Sequence, residues 1–121
     1  EGFVVFNGPD EQLAGGLAMG ADGGIGGTYG AMPELYLKIF DLVKAGKVEE
    51  AAKVQYAADA IIYKMCSAKG NMYGVIKAIL KIREGLELGG VRKPLANLVD
   101  SDMDIVKECV AMTDDAIKTY C

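Results

Sequence analysis

The sequence predicts an α/β fold that is mostly helical by residue count, with a strand–helix–strand unit followed by four further helices. Two observations support this prediction. Ten of the sixteen glycines lie in the first 30 residues, so this front segment has backbone demands that a regular helix does not meet. From residue 31 onwards, apolar residues recur at spacings of three and four, which is the period of an amphipathic helix.

The first predicted element is a buried strand, Phe3–Phe6, a run of apolar, β-branched and aromatic residues that ends at the turn Asn7–Asp10. A short helix is expected to follow from Glu11 to Met19, because the carboxylate of Asp10 can accept hydrogen bonds from its first turn. The pair Gly15-Gly16 lowers helix propensity, and we expect it to let this helix approach a sheet closely.

The second strand is predicted within residues 21–29, which are too rich in glycine for a surface helix. Glycine at a strand end is typical of a place where another group approaches the backbone closely. Strands joined by a helix pair in parallel with a right-handed crossover, so we expect the two strands to lie side by side in one sheet.

Four helices are predicted after residue 30. Pro33 lies near the start of the first and Gly46 ends it, the second runs from Val48 to Ala68, Asn71 caps the third, and Asp100 or Ser101 caps the last. A loop, Gly85–Pro94, separates the last two helices. The apolar side chains that we expect to face the core are Leu35, Ile39, Leu42, Val43, Val48, Ala51, Ala52, Ala58, Ile62, Met65, Met72, Val75, Ile76, Ile79, Leu80, Met103, Val106, Val110, Thr113 and Ile117.

Composition excludes several classes of function. The chain has no histidine, so a Ser-His-Asp triad, a Cys-His pair and a His-ligated metal site are absent. The net charge of −4 and the lack of a long Lys/Arg run argue against nucleic-acid binding, and no apolar stretch is long enough to predict a membrane span. The three cysteines, Cys66, Cys109 and Cys121, are widely spaced and predict reduced thiols in the cytoplasm.

The motifs that could carry chemistry are few. Residues 23–29 match neither a Walker A loop, which needs a following lysine, nor a complete dinucleotide-binding fingerprint. Asp10 and Glu11 follow a strand, where carboxylates suit a hydroxyl-rich ligand, although the pattern alone favours capping and charge compensation of the following helix. Tyr29 could likewise face a site or be a buried aromatic, and Arg92-Lys93 is expected to be a salt-bridged connection.

Three segments carry a resemblance to a known family. The blocks Phe6–Glu11 and Gly20–Tyr29, with their spacing, and Arg92–Pro94 further along resemble the C-terminal part of the N-acetylneuraminate lyases. These enzymes belong to the family of class I aldolases that also contains dihydrodipicolinate synthase. The resemblance implies that the chain is the C-terminal portion of a (β/α)₈ barrel. Residues 1–30 would be the last two barrel strands with the intervening helix, and residues 31–121 would be helix 8 and a C-terminal helical extension, together one incomplete domain.

The resemblance also implies a reaction, in which a lysine on an earlier strand forms a Schiff base and a sugar acid is cleaved to N-acetylmannosamine and pyruvate without a metal or other cofactor. By position, Gly8, Asp10 and Glu11 are similar to residues that bind the sugar hydroxyls. Ile25 resembles a residue whose carbonyl lies near the pyruvate portion, and Gly27 falls where characterised lyases have a substrate-binding serine. The resemblance implies that the Schiff-base lysine and the catalytic tyrosine belong to earlier strands of the barrel.

Three functional hypotheses follow. In the first, the chain is a fragment of a homotetrameric pyruvate aldolase whose partner is the N-terminal barrel half, and it is inactive alone. In the second, it is a stand-alone helical interaction module. In the third, it is part of an aldolase for another 2-keto sugar acid, which Gly27 leaves open. Because two parallel strands expose two sheet edges, we also expect either self-association through Phe3–Phe6 and Gly23–Ile25 or strands that are disordered or repacked.

Overall fold

The computed structural model describes residues 2–121, which form two short strands, five α-helices and three single 3₁₀ turns. The 3₁₀ turns lie at Asp10–Gln12, Gly27–Gly30 and Asp100–Asp102. The longer elements are β1 (Phe6–Asn7), α1 (Leu13–Ala18), β2 (Gly23–Gly24), α2 (Pro33–Lys44), α3 (Val48–Cys66), α4 (Met72–Glu84) and α5 (Met103–Tyr120). The predicted element order is confirmed.

The two strands pair in parallel, with Phe6 opposite Gly23 and Asn7 opposite Gly24. Hydrogen bonds on either side continue the pairing. The Asp22 amide donates to the Val5 carbonyl oxygen (2.8 Å), and the Ile25 amide donates to the Asn7 carbonyl oxygen (3.0 Å). The predicted close approach of the first helix is confirmed at Gly16, because a Cβ there would overlap the Asn7 side chain.

The prediction that Phe3–Phe6 is a buried strand is wrong. In this segment only Phe6 belongs to a strand, and its four side chains are 58–91% exposed. The strand pair is two residues long and, within residues 2–121, nothing packs over these side chains. The apolar run therefore has the sequence of a core strand without the neighbours that would bury it.

The core is formed by the helices. Helix α3 packs against α2 and α5, and α1 lies between α2 and the strands. The predicted stripes are confirmed for most positions, but Val48 and Met103 are 44% and 38% exposed because each begins its helix, beyond the reach of the neighbouring helices. The largest fully buried apolar side chains are Met32, Leu35, Ile39, Val54, Ile61, Met65, Val75, Ile79 and Val106.

Several helix ends follow the local sequence. Pro33 occupies the first turn of α2, Asn71 accepts a hydrogen bond from the Tyr73 amide (2.9 Å), and Gly85 ends α4 with a positive φ of 70°. The cap predicted at Asp100 or Ser101 is wrong. The buried carboxylate of Asp102 accepts instead from the amide of Val99, 3.0 Å away.

None of the helices in residues 2–121 combines the length and the apolar character that crossing a membrane requires.

Candidate functional site

The carboxyl ends of β1 and β2 lie at one edge of the sheet, because the strands are parallel. The segments that leave this edge, residues 8–11 and 25–28, are held together by hydrogen bonds. Among the predicted site residues, Gly8 and Ile25 are exposed here, and Ile25 is 70% exposed. Asp10 and Glu11 are half-buried, and Gly27 is exposed. The structure thus gathers the predicted residues at the edge where parallel sheets bind their ligands.

Asp10 is the most constrained of these side chains. Its Oδ2 accepts hydrogen bonds from the Thr28 amide, 2.8 Å away, and from the Thr28 hydroxyl. The predicted capping of the following helix is therefore wrong, because the carboxylate turns across to the other strand connection. Gly26 makes this possible, since a Cβ on that residue would overlap Asp10 Oδ1.

A buried hydroxyl pair lies behind this carboxylate. The Thr28 and Tyr36 oxygens are 2.6 Å apart, and these residues are only 1% and 4% exposed. Burial raises the pKa of Tyr36, with Asp10 as a smaller cause in the same direction. The Tyr29 ring lies against the Tyr36 ring, with centroids 4.1 Å apart.

Gln55, in α3, fixes the backbone beneath the site. Its Nε2 donates to the Asp10 carbonyl oxygen (3.0 Å) and to Asp59 Oδ1 (2.9 Å), while its Oε1 accepts from the Ala14 amide (2.9 Å). Partial burial of the Asp59 carboxyl raises its pKa. Sequence reasoning missed Gln55, although a signal was present, since it lies three or four residues from Ala51, Ala52 and Ala58, on the predicted apolar stripe of α3.

Tyr73 is a second residue that the sequence did not reveal. It lies at the start of α4, and its ring is so close to Gly27 that a Cβ there would lie 2.6 Å from Tyr73 Cε1. The hydroxyl of Tyr73 would be 3.4 Å from that Cβ. A tyrosine of another helix therefore occupies the space that a side chain at position 27 would use.

The remaining candidates have different environments. The Tyr29 hydroxyl is buried, without a hydrogen-bond partner in residues 2–121, and burial, followed by the charge of Asp10, raises its pKa. Arg92 and Lys93 form no ion pair in the described chain, so the predicted salt-bridged connection is wrong. Arg83 has that role instead, between Glu34 (3.4 Å) and Asp114 (3.3 Å), because it is the arginine that α4 directs between two helices.

Comparison with known proteins defines the class to which this fold and site belong. Residues 1–113 match the dihydrodipicolinate synthetase family, so the chain belongs to that family. This confirms the resemblance that the strand-end blocks carried.

The particular relatives are lyases. The chain is 65% identical over 118 residues to N-acetylneuraminate lyase of Mediterraneibacter gnavus, an alignment that covers 98% of this chain and 38% of the relative. It is 39% identical over 108 residues to the N-acetylneuraminate lyase of Rhizobium meliloti, covering 89% of this chain and 35% of that one. The chain therefore spans well under half the length of the curated relatives that it matches.

Solved structures agree. The wild-type sialic acid aldolase of Ruminococcus gnavus superposes with a TM-score of 0.96 at 65% identity, over 98% of this chain and 40% of that one. N-acetylneuraminate lyase of Fusobacterium nucleatum gives a TM-score of 0.72 at 31% identity, over 97% and 37%. The predicted fold class is confirmed: the chain has the structure of the C-terminal portion of an aldolase (β/α)₈ barrel.

Proposed function

We propose that this chain forms part of the sugar-acid pocket of a Schiff-base pyruvate aldolase that cleaves N-acetylneuraminate to N-acetylmannosamine and pyruvate. The observation that carries the proposal is the 65% identity to a lyase over 98% of the chain. The geometry supports it, because the predicted pocket residues lie at one sheet edge with the Asp10 carboxylate fixed across it.

Each residue has a separate role in this proposal. The carboxylates of Asp10 and Glu11 accept hydrogen bonds from the sugar hydroxyls, and charge-assisted bonds of this kind are the strong ones. Gly8 has no side chain to block the hydroxyl chain, and Ile25 offers its backbone carbonyl near the pyruvate portion. Gly27 offers no hydroxyl of its own.

The covalent chemistry belongs to the rest of the barrel. A lysine there condenses with the keto group, and the protonated imine accepts the electron pair of the breaking carbon–carbon bond. One solved structure of the Ruminococcus gnavus aldolase is of its catalytic lysine mutant. Within residues 2–121 every lysine is exposed or half-buried, so none has the buried position that lowers an amine pKa for imine formation.

We therefore expect the chain alone to be inactive. After incubation with pyruvate and borohydride, its intact mass should stay unchanged, because no lysine forms the imine that borohydride reduces. The full-length Mediterraneibacter gnavus lyase, treated in parallel, serves as the positive control. A stable pyruvyl adduct on the 121-residue chain would refute this part of the proposal.

Lyase activity is expected when the chain is part of a complete (β/α)₈ barrel. In a chimera, residues 1–121 replace the matching 118-residue segment of the Mediterraneibacter gnavus lyase. We expect this chimera to release pyruvate from N-acetylneuraminate and to trap pyruvate with borohydride. A folded chimera that traps pyruvate but cleaves only another 2-keto sugar acid would favour the related-aldolase hypothesis. The structural observation that favours this hypothesis is the contact between Gly27 and Tyr73. A folded chimera that neither traps nor cleaves would favour the interaction module.

The proposal extends to partners and location. The exposed apolar residues beside the strands suit contact with the N-terminal barrel half, and the complete enzyme would be a homotetramer. The three free cysteines suit a reducing compartment, the cytoplasm.

A further inference from the structure

We infer that Thr28 and Tyr36 are positioning residues for the Asp10 carboxylate, and that together they set the affinity for the sugar part of the substrate. The inference rests on the proposed role of Asp10 in binding sugar hydroxyls. The sequence alone predicted no functional role for Thr28 or Tyr36.

Thr28 holds one oxygen of the carboxylate from two directions. Its amide donates to Asp10 Oδ2 at 2.8 Å, and its hydroxyl donates to the same oxygen. Both protein donors thus meet Oδ2, while Oδ1 lies above the Cα of Gly26, in the space that a side chain would fill. A carboxylate fixed in this way presents Oδ1 to a ligand without having to lose rotational freedom on binding.

The Asp10 carboxylate sets the direction of the Thr28 hydroxyl, and Tyr36 donates to that hydroxyl from the other side. A threonine hydroxyl has one proton, and an ionised carboxylate can only accept. The Thr28 proton therefore lies on the bond to Asp10, and the Tyr36 hydroxyl donates across the 2.6 Å to Thr28 Oγ1. A tyrosine hydroxyl is protonated throughout the neutral range, and burial raises the pKa of Tyr36 further, so this phenol remains a donor to Thr28.

Neither hydroxyl is available to the substrate directly. Thr28 is 1% exposed and Tyr36 is 4% exposed, and the Tyr29 ring packs against the Tyr36 ring. Their effect on the reaction must therefore pass through Asp10. This arrangement distinguishes them from Asp10 and Glu11, which we propose to touch the sugar.

The test uses the chimera described above. Thr28→Val keeps the shape and the amide donor but removes the hydroxyl, and should raise KM for N-acetylneuraminate about tenfold, since a hydrogen bond to a charged group is worth that factor or more. Tyr36→Phe should raise KM by a smaller factor, about threefold. Thr28→Ser keeps the hydroxyl, so its KM should stay near that of the unsubstituted chimera. Pyruvate trapping should stay unchanged in all three variants, because it depends on the lysine.

Thr113→Val is the matched control. Thr113 is also a fully buried threonine, but its hydroxyl donates within α5 to the Cys109 carbonyl oxygen (2.8 Å). We expect this variant to leave KM unchanged. The inference is overturned if Thr28→Val changes KM no more than Thr113→Val does, or if pyruvate trapping falls in parallel with cleavage.

A double-mutant cycle keeps the two proposals apart. If Thr28 acts through Asp10, Thr28→Val should add nothing to the KM of Asp10→Asn. If the folded chimera proves inactive, the proposed function fails. The same double-mutant cycle, measured by thermal unfolding, then still tests whether Thr28 positions Asp10. Coupling between the two substitutions supports the positioning of Asp10 by Thr28, and strictly additive effects overturn it.

Discussion

At the scale of single residues, the glycines after β2 are best understood from what lies beside them. Gly26 makes room for the Asp10 carboxylate, and Gly27 makes room for the Tyr73 ring. In neither case is a left-handed backbone the reason, because both residues lie outside the set with positive φ. A side chain at either position would displace a group of the candidate site, so these glycines shape the site by leaving space.

The three cysteines should differ in reactivity. Cys109 is fully buried, and burial raises the pKa of its thiol to about 11, whereas Cys66 and Cys121 are exposed. Since the thiolate is the reactive form, we expect two thiols to react promptly with a disulfide reagent at pH 8 and the third only after denaturation.

Serine variants assign the reacting thiols. Cys66→Ser should reduce the prompt count from two to one, while Cys109→Ser should leave it at two. Prompt reaction of all three thiols in the native chain would contradict the buried position of Cys109.

At the scale of elements, one carboxylate joins two segments of the chain. Asp102 accepts hydrogen bonds from the amides of Val99 (3.0 Å), Lys69 (2.9 Å) and Gly70 (3.0 Å). These bonds hold the start of α5 against the connection between α3 and α4. That connection leads directly into the α4 turn that places Tyr73 over Gly27.

Asp102 should make stability depend on acidity. The backbone hydrogen bonds to Asp102 lower its pKa, and the bond from Val99 is the largest cause. The ionised carboxylate therefore contributes its full stabilisation of the fold at pH values above the ordinary carboxyl pKa. This stabilisation is lost as the pH falls through the lower pKa of the folded state. We expect Asp102→Asn to lower the urea midpoint at pH 7, and the difference from the unsubstituted chain to shrink below about pH 4.

Asp104→Asn is the control for this experiment. Asp104 is 91% exposed at its side chain and forms only a long ion pair with Lys107 (3.8 Å), so its substitution should change the midpoint little at any pH. Equal effects of the two substitutions across the pH range would show that the Asp102 hydrogen bonds contribute no more than a surface charge does.

At the scale of the whole molecule, the exposed apolar surface beside the strands is the main departure from an ordinary globular chain. Phe3 and Val4 are 91% and 66% exposed, Ile25 is 70% exposed, and Leu37 on α2 is 64% exposed. Apolar side chains next to unpaired strand edges favour association with another chain.

We therefore expect the chain to self-associate through the strand segment. Sedimentation velocity should show species whose size grows with concentration, and Val4→Lys should shift them towards the monomer because a charge at an edge opposes pairing. Tyr63→Lys, at a residue 68% exposed on α3, is the matched control and should have no such effect. A monomer at every concentration with intact strands would contradict this expectation.

Much of the fold was predictable because its signals are local. The stripes of α2 to α5 and the Asn71 cap follow from residue spacing and from short-range hydrogen bonding. The parallel strand pair follows from the rule that strands joined by a helix pair in parallel. The exposure of Phe3–Phe6 was not predictable in this way, because burial depends on which other chain segments are present. The division at residue 30 and the substrate-binding roles of Gly8, Asp10, Glu11, Ile25 and Gly27 stay predictions.

The sequence by itself determined the order of elements, the family resemblance and the set of residues at the strand ends. Only the tertiary structure decided that Asp10 turns to Thr28 rather than to its own helix, that Tyr36 and Gln55 support it, and that Tyr73 fills the space at Gly27. The physical reason is distance along the chain. A cap is chosen among neighbours within a few residues, whereas each of these contacts joins separate elements whose meeting depends on how the helices pack.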